Sequence, residues 1–330
     1  MSHPGKLRAL LATLRIANAP SVVSNVFLGF MVGWIQVGEF WKPSEMDWGR
    51  ACLAALSGLM LYFSGNLAND WFDQKWDAEK RPERALPSGL FKPGSYLAFA
   101  LILAVGGTSL AFTLHPLCGF TAILIVSLIA LYTAYHKRTI WAVIPMGLCR
   151  AGLYFLGYFV WWLSLDYLES IGYASGSLAL KKLAIPAVIG FGLFSYIVGL
   201  SLSARYEGMG DPPRGPRMLS LIMLLVPLAA MPGNFMTGYL VPGFLGMLPF
   251  AVWLALARTS FKQPIPRYVS ALLAGIPLVD LIAAVPIVMG LDARMPTLGL
   301  RDLPHLIVML VLPLVAFVLG RALQKLAPAT

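Results

Sequence analysis

The chain has 330 residues, of which 58% are hydrophobic and 12% charged, with a formal net charge of +10. That composition excludes a disordered chain and argues against an ordinary soluble domain. The positive balance is a by-product of membrane orientation, not a mark of nucleic-acid binding, and no nucleic-acid partner is expected.

Long apolar runs recur from end to end, bounded by charge or by Gly and Pro, and a span needs about 20 mostly apolar residues. In chain order the predicted spans are 19–37, 50–68, 94–113, 117–135, 141–164, 183–204, 217–231, 236–257, 268–290 and 304–320. The expectation is an all-α integral membrane protein, a bundle of about 9–10 spans forming one polytopic domain over 1–330. The apolar stretch after Pro20 runs on through Val37 with no clear small-residue cleavage site, which predicts a retained first span. The seventh run is short and ends at Met231-Pro232-Gly233. If it were a non-spanning hairpin, the alternation downstream of it would break.

The Lys and Arg residues orient these spans. One side collects the N-terminus, the 69–93 loop, Lys137-Arg138, 205–217, 258–267 and Arg321 with Lys325, or 18 of the 25. The other side gets six, and Arg150 lies inside the fifth span. By the positive-inside rule both termini and the 69–93 loop face the cytoplasm, as in a cytoplasmic (inner) membrane. Basic clusters there also attract anionic lipid heads of the bilayer. Cys52, Cys118 and Cys149 fall in spans at no pairable spacing and suggest neither a disulfide nor a metal site.

After the second span the chain reads Asn69-Asp70-x-x-Asp73-x-x-x-Asp77, then Lys80, Arg81 and Arg84. Carboxylates at i, i+3 and i+7 share one helical face and repel one another unless a cation sits among them. Such an oxygen cluster suits Mg²⁺, which shares its remaining positions with water and phosphate oxygens. Guanidinium groups just beyond suit a diphosphate. The expected site is therefore Mg²⁺ and diphosphate at the mouth of a membrane bundle. The alternative is a solvated loop balanced by Lys75 and Lys80. Asn66 and Asn69 either cap helix ends or serve the metal loop. Lys137, in a Tyr-rich context after the fourth span, is a diphosphate ligand or an ordinary interfacial anchor. Arg150 is costly in a span and faces the bundle interior, as a diphosphate or acceptor contact or as the ion-pair partner of a buried carboxylate. Asp280, mid-span, is the obvious partner or a general base. Asn18 and Asn25 line the same interior or bond between helices.

The 69–89 stretch, ending Lys80-Arg81-Pro82-x-Arg84-x-Leu86-Pro87-Ser88-Gly89, resembles the first aspartate-rich motif of the UbiA superfamily of intramembrane prenyltransferases. The resemblance continues through Tyr132-x-x-Tyr135-x-Lys137-Arg138, Met146-Gly147-x-Cys149-Arg150 and Tyr196 to Glu207, covering about 15–290 and leaving 304–320 as an extra C-terminal span. The Met-Gly-x-Cys-Arg and Arg-x-Glu elements look like a less characterised, divergent branch. The resemblance implies a bundle around a central cavity, with two acidic loops holding Mg²⁺ against an isoprenyl diphosphate. The allylic C–O bond ionises, diphosphate leaves, and an acceptor captures the cation. Asn69, Asp70, Asp73 and Asp77 then hold one Mg²⁺, and Arg81, Arg84, Lys137 and Arg205 grip diphosphate. The second motif departs from the family, reading Arg205-Tyr206-Glu207-Gly208-Met209-Gly210-Asp211. Either Glu207 and Asp211 hold a second Mg²⁺, or Arg205 partly replaces it by binding diphosphate directly.

The expected function is a Mg²⁺-dependent prenyltransferase acting on a small hydrophobic or aromatic acceptor, its identity unknown. The rival is a transporter or carrier of a lipid-like precursor using Arg150 and Asp280 as a midplane site, although no repeat relates the two halves. A phosphatidyl-alcohol transferase would need an Asp-Gly-rich spacing that the chain lacks.

Overall fold

The computed structural model describes residues 5–38, 46–162, 175–206, 214–233, 240–294 and 303–327. Its helices are α1 Lys6–Thr13, α2 Ala19–Gly38, α3 Trp48–Lys80, α4 Pro93–Leu114, α5 Pro116–Tyr135 and α6 Val143–Tyr158. They continue as α7 Ser175–Tyr206, α8 Arg214–Gly233, α9 Leu240–Thr259, α10 Ile265–Ala274, α11 Ile276–Arg294 and α12 Leu303–Leu326. Ten stretches among the described residues are long and apolar enough to cross a membrane. The short seventh run is one of them, as Arg214–Met231. Cys52, Cys118 and Cys149 are free.

In a bilayer, lipid is as apolar as a side-chain core, so helices associate by close packing and interhelical hydrogen bonds. Both occur here. Ser57 and Ser64 of α3 donate to the carbonyls of Gly107 and Ala100 on α4, at 2.8 Å each. Helix α2 packs on α3, α6, α11 and α12 and is the innermost element. In its span 83% of the apolar window is buried, against 22% for the α4 and α8 spans, whose Phe99, Ile102, Val105, Met218 and Ile222 face outward toward lipid.

The ninth span is interrupted. Helix α10 ends at Ala274 and α11 restarts at Ile276, with Pro277 unable to donate to the preceding turn. Inside a membrane a break of this kind draws in extra donors: the carbonyls of Ala271 and Leu272, which accept from Gly275 N, also take side-chain bonds. The Tyr196 hydroxyl donates to Leu272 O at 2.7 Å and Trp253 Nε1 to Ala271 O at 2.8 Å. The break sits one turn before Asp280.

Helix α3 carries 33 residues without a break, about 50 Å by its rise. A hydrocarbon core is about 30 Å thick, so roughly the last third of α3 projects beyond it. The sequence reading placed the aspartates on a segment after the span. They lie instead on the same helix as the span, which fixes their facing relative to the bundle.

Contact between α2 and α6 is backbone to backbone. A Cβ on Gly29 would stand 1.9 Å from Tyr154 O, and one on Gly157 1.9 Å from Val26 O. Gly29→Ala and Gly157→Ala must push the helices apart, with an expected loss of about 1–3 kcal/mol. Gly94→Ala, with nothing within 4 Å of the added carbon, serves as the control and should be neutral. Thermal unfolding of the detergent-solubilised variants checks this. Equal melting temperatures for all of them would contradict the contact.

Candidate active site

The aspartates stand at the end of α3, buried despite their charge. Buried carboxylates persist only when paired, and cations from separate segments of the chain do the pairing. Arg84 Nη1 lies 2.9 Å from Asp77 Oδ2 and 3.4 Å from Asp70 Oδ1. Arg15 Nη2 lies 3.6 Å from Asp70 Oδ1. Lys137 Nζ lies 2.6 Å from Asp73 Oδ1, and His136 Nε2 lies 3.2 Å from Asp73 Oδ2.

Local structure sets each of these positions. After α3 the chain turns back so that Arg84 reaches its own helix. Ala85 and Leu86 bury against Leu67 and Tyr96 to pin that turn. Gly89 adopts φ +74° before α4 begins at Pro93, a conformation that costs glycine little. Arg15 is held in the left-handed region, φ 47° and ψ 49°, which a non-glycine residue occupies only when its surroundings enforce it. Asn66 supplies much of that force. Its Oδ1 accepts from Arg15 Nη1 at 2.6 Å and its Nδ2 donates to Leu14 O at 2.9 Å. The Tyr62 hydroxyl adds a bond to Arg15 O at 3.1 Å.

Lys137 and His136 ride on the turn after α5. Lys137 Nζ also lies 4.2 Å from the centroid of the Trp76 ring, a cation–π contact. The His136 ring stacks on Tyr132 at 5.0 Å, with Nδ1 3.1 Å from Thr133 O. Arg205 Nη1 donates to His136 O at 3.2 Å and to Thr139 O at 3.1 Å. Arg205 thus clamps the turn that carries Lys137 and does not itself reach the aspartates. Arg81 is exposed, 5.8 Å from the Trp76 centroid, at the rim.

The donor set suits a hard cation. Asn69 Oδ1 and Asp77 Oδ1 are buried without a hydrogen-bond partner, and oxygen is what Mg²⁺ takes. Asn69 Nδ2 reaches Asp73 Oδ2 at 3.4 Å, which turns its oxygen away from that carboxylate. Among the described residues no three His, Cys, Asp or Glu side chains converge as a ready cage. The aspartates are instead arranged in cation-paired form. Glu207 and Asp211 lie outside the described residues.

Beneath the mouth lies a second polar group. Arg150 Nη1 donates to Ser21 Oγ at 3.1 Å and to Asn25 Oδ1 at 3.3 Å, and its guanidinium sits 5.2 Å from the Tyr62 centroid. Asp280 accepts from Ser24 Oγ, from the Tyr154 hydroxyl and from Asn25 Nδ2 at 2.9 Å. The sequence offers Asp280 as the partner of Arg150 or as a general base. The contact runs through the Asn25 amide, whose oxygen faces the arginine and whose nitrogen faces the carboxylate. Asn18 is buried near the start of α2, its Oδ1 unpartnered.

Sequence reasoning missed Arg15 and His136 as site residues. Arg15 looked like one positive-inside charge among many, and nothing in the sequence marks its backbone conformation. His136 could have been found by its place beside Lys137 in the Tyr-rich turn.

A model described as the UbiA prenyltransferase family matches residues 26–279. A digeranylgeranylglyceryl phosphate synthase of Methanosarcina barkeri is 31% identical over 119 residues, 36% of this chain and 41% of that relative. The synthase of that name from Methanococcoides burtonii is 41% identical over 76 residues, 23% of this chain and 27% of the relative. The matched stretches span less than half the length of these relatives. A solved structure concerned with digeranylgeranylglyceryl phosphate synthase in membranes aligns with TM-score 0.49 and 17% identity, covering 96% of this chain and 99% of that one. A UbiA homolog from Archaeoglobus fulgidus bound to DMAPP and Mg²⁺ aligns with TM-score 0.49 and 13% identity at the same coverage.

Because Arg205 holds the turn through two backbone carbonyls, Arg205→Gln should speed amide exchange across 136–139 by about tenfold. Hydrogen-exchange mass spectrometry checks this. Unchanged exchange there would remove Arg205 from that role.

Proposed function

From the premise that this chain belongs to the UbiA prenyltransferase family, we propose that it is a membrane-embedded, Mg²⁺-dependent prenyltransferase. The observation that carries the reading is the interleaving of Asp70, Asp73 and Asp77 with Arg15, Arg84, His136 and Lys137 at one end of an apolar bundle. Such an arrangement can exchange partners. The carboxylates, with Asn69, would hold the metal, and Arg15, Arg84, His136 and Lys137 would then be free to bind phosphate oxygens. Glu207 and Asp211 would hold any second ion.

Bound Mg²⁺ would neutralise charge on the diphosphate and make it a better leaving group. Arg84 and Lys137, joined by Arg15, bind the diphosphate oxygens as negative charge grows there. Trp76 keeps the Lys137 ammonium directed at the site. The isoprenyl tail lies among the apolar helices, which exclude water from the cationic carbon. The C1–O bond breaks with its electron pair passing to diphosphate. The acceptor hydroxyl oxygen bonds C1 and gives its proton to the departing diphosphate.

For the acceptor, the relatives' shared name describes a glyceryl phosphate carrying geranylgeranyl groups. A hydroxyl of a glycerophosphate-type lipid therefore replaces the hydrophobic or aromatic acceptor suggested by the sequence. The transporter reading is weakened at Asp280, whose oxygens are occupied by Ser24, Asn25 and Tyr154 inside the bundle and so do not serve cargo. The partition of basic residues supports a mouth that faces the cytoplasm, where soluble Mg²⁺ and diphosphate are available.

Asp70→Ala and Asp73→Ala should each lower diphosphate release from an isoprenyl diphosphate by about a hundredfold or more, without loss of the folded protein. EDTA should abolish release in the wild type. Near-normal turnover in both variants would refute the site, and activity in EDTA would refute the metal. Across a Mg²⁺ titration, Glu207→Gln should shift the requirement upward. An unchanged curve would take the 205–211 segment out of metal binding.

A further inference from the structure

We infer that Arg150 is the residue that recognises the phosphate of the acceptor, in a subsite below the diphosphate mouth. The inference rests on the prenyl-transfer reading above and assigns that reading's second substrate a binding group.

Arg150 is more than nine-tenths buried in α6. A guanidinium at that depth normally faces a carboxylate. Among the described residues it has none within ion-pair distance, because every ion pair found lies at the mouth. Its hydrogen bonds all leave from Nη1, to the neutral oxygens of Ser21 and Asn25. Nη2 and Nε have no acceptor among the described residues. The adjacent buried carboxylate, Asp280, has been satisfied separately by Ser24, Asn25 and Tyr154. The Asn25 amide separates the two charges while fixing the position of both. The arginine is thus held in place and compensated at long range, with part of its donor fork open. An oxyanion completes it, and a planar fork suits phosphate.

Position decides which oxyanion. The Arg150 guanidinium lies against Tyr62. Tyr62 precedes Asp70 by eight residues on the same unbroken helix, about 12 Å along its axis. A diphosphate gripped by Asp70, Asp73, Asp77 and their cations is held nearer the helix end, above that depth. The donor's C1 hangs from the diphosphate into the interval between them. An acceptor whose hydroxyl meets C1 there can place its own phosphate on Arg150.

The test uses the full-length protein in detergent, with a monoalkyl glyceryl phosphate and the same monoalkyl glycerol as probes. Wild type should bind the phosphate at least about tenfold more tightly than the alcohol. Arg150→Gln should erase that preference, and Arg150→Lys should keep part of it. Affinity for geranylgeranyl diphosphate with Mg²⁺ should stay unchanged in both variants. No phosphate preference in the wild type overturns the inference even if the variants fail to fold. A preference intact in Arg150→Gln overturns it too. A parallel loss of donor affinity would instead place Arg150 at the diphosphate. Absence of diphosphate release by wild type with any isoprenyl diphosphate would refute the prenyl-transfer reading, while the probe comparison still judges Arg150 as a phosphate site.

Discussion

Three carboxylates on one face of one helix repel each other, and the mouth of the bundle is organised around relieving that repulsion. Asp70, Asp73 and Asp77 are all buried. Each is stable only because a cation from elsewhere in the chain reaches it. Arg15 comes from the segment before α2, Arg84 from the turn after α3, and His136 with Lys137 from the turn after α5. Relieving the repulsion therefore ties several loops to one helix end. In the proposed reaction the same pairs would supply the chemistry, since a metal and a diphosphate arriving together offer every carboxylate a cation and every cation an anion.

The deeper polar group follows a different rule. Among lipid-facing helices, a buried charge must be met inside the protein. Asp280 is met by donors from α2 and α6. This works because Gly29 and Gly157 let those helices touch backbone to backbone, bringing Ser24, Asn25 and Tyr154 within reach of one carboxylate. Tyr62 links the two levels. Its ring lies under Arg150 while its hydroxyl bonds the backbone of Arg15, which in turn pairs with Asp70.

The spans and the acid-rich motif were legible in the sequence because both are local patterns. Apolar runs need only length, and the i, i+3, i+7 aspartates need only a helix. The bounds of α4 and α5 fall close to those read from hydropathy, whereas α3 runs on through the motif, with Asp70, Asp73 and Asp77 turned inward to their cations. Long-range partners were not legible. Arg15 is distinguished by its αL backbone and its contacts with Asn66, neither of which has a sequence signature. Arg205 read as a diphosphate ligand from its place in a weakened acidic motif, yet its hydrogen bonds go to carbonyls 66 and 69 residues earlier in the chain. Arg150 and Asp280 were both singled out as charges in spans. The amide between them was beyond prediction, because it depends on how two helices cross.

The central claim is that carboxylates and cations at the mouth exchange partners around a metal–diphosphate. Electron–nuclear double resonance of the purified protein with Mn²⁺ and a slowly reacting isoprenyl thiodiphosphate tests it directly. The expected spectrum shows ³¹P coupling to the bound metal, weakened or lost in Asp73→Asn. Protein-bound Mn²⁺ without ³¹P coupling, or coupling indifferent to Asp73→Asn, would contradict the account.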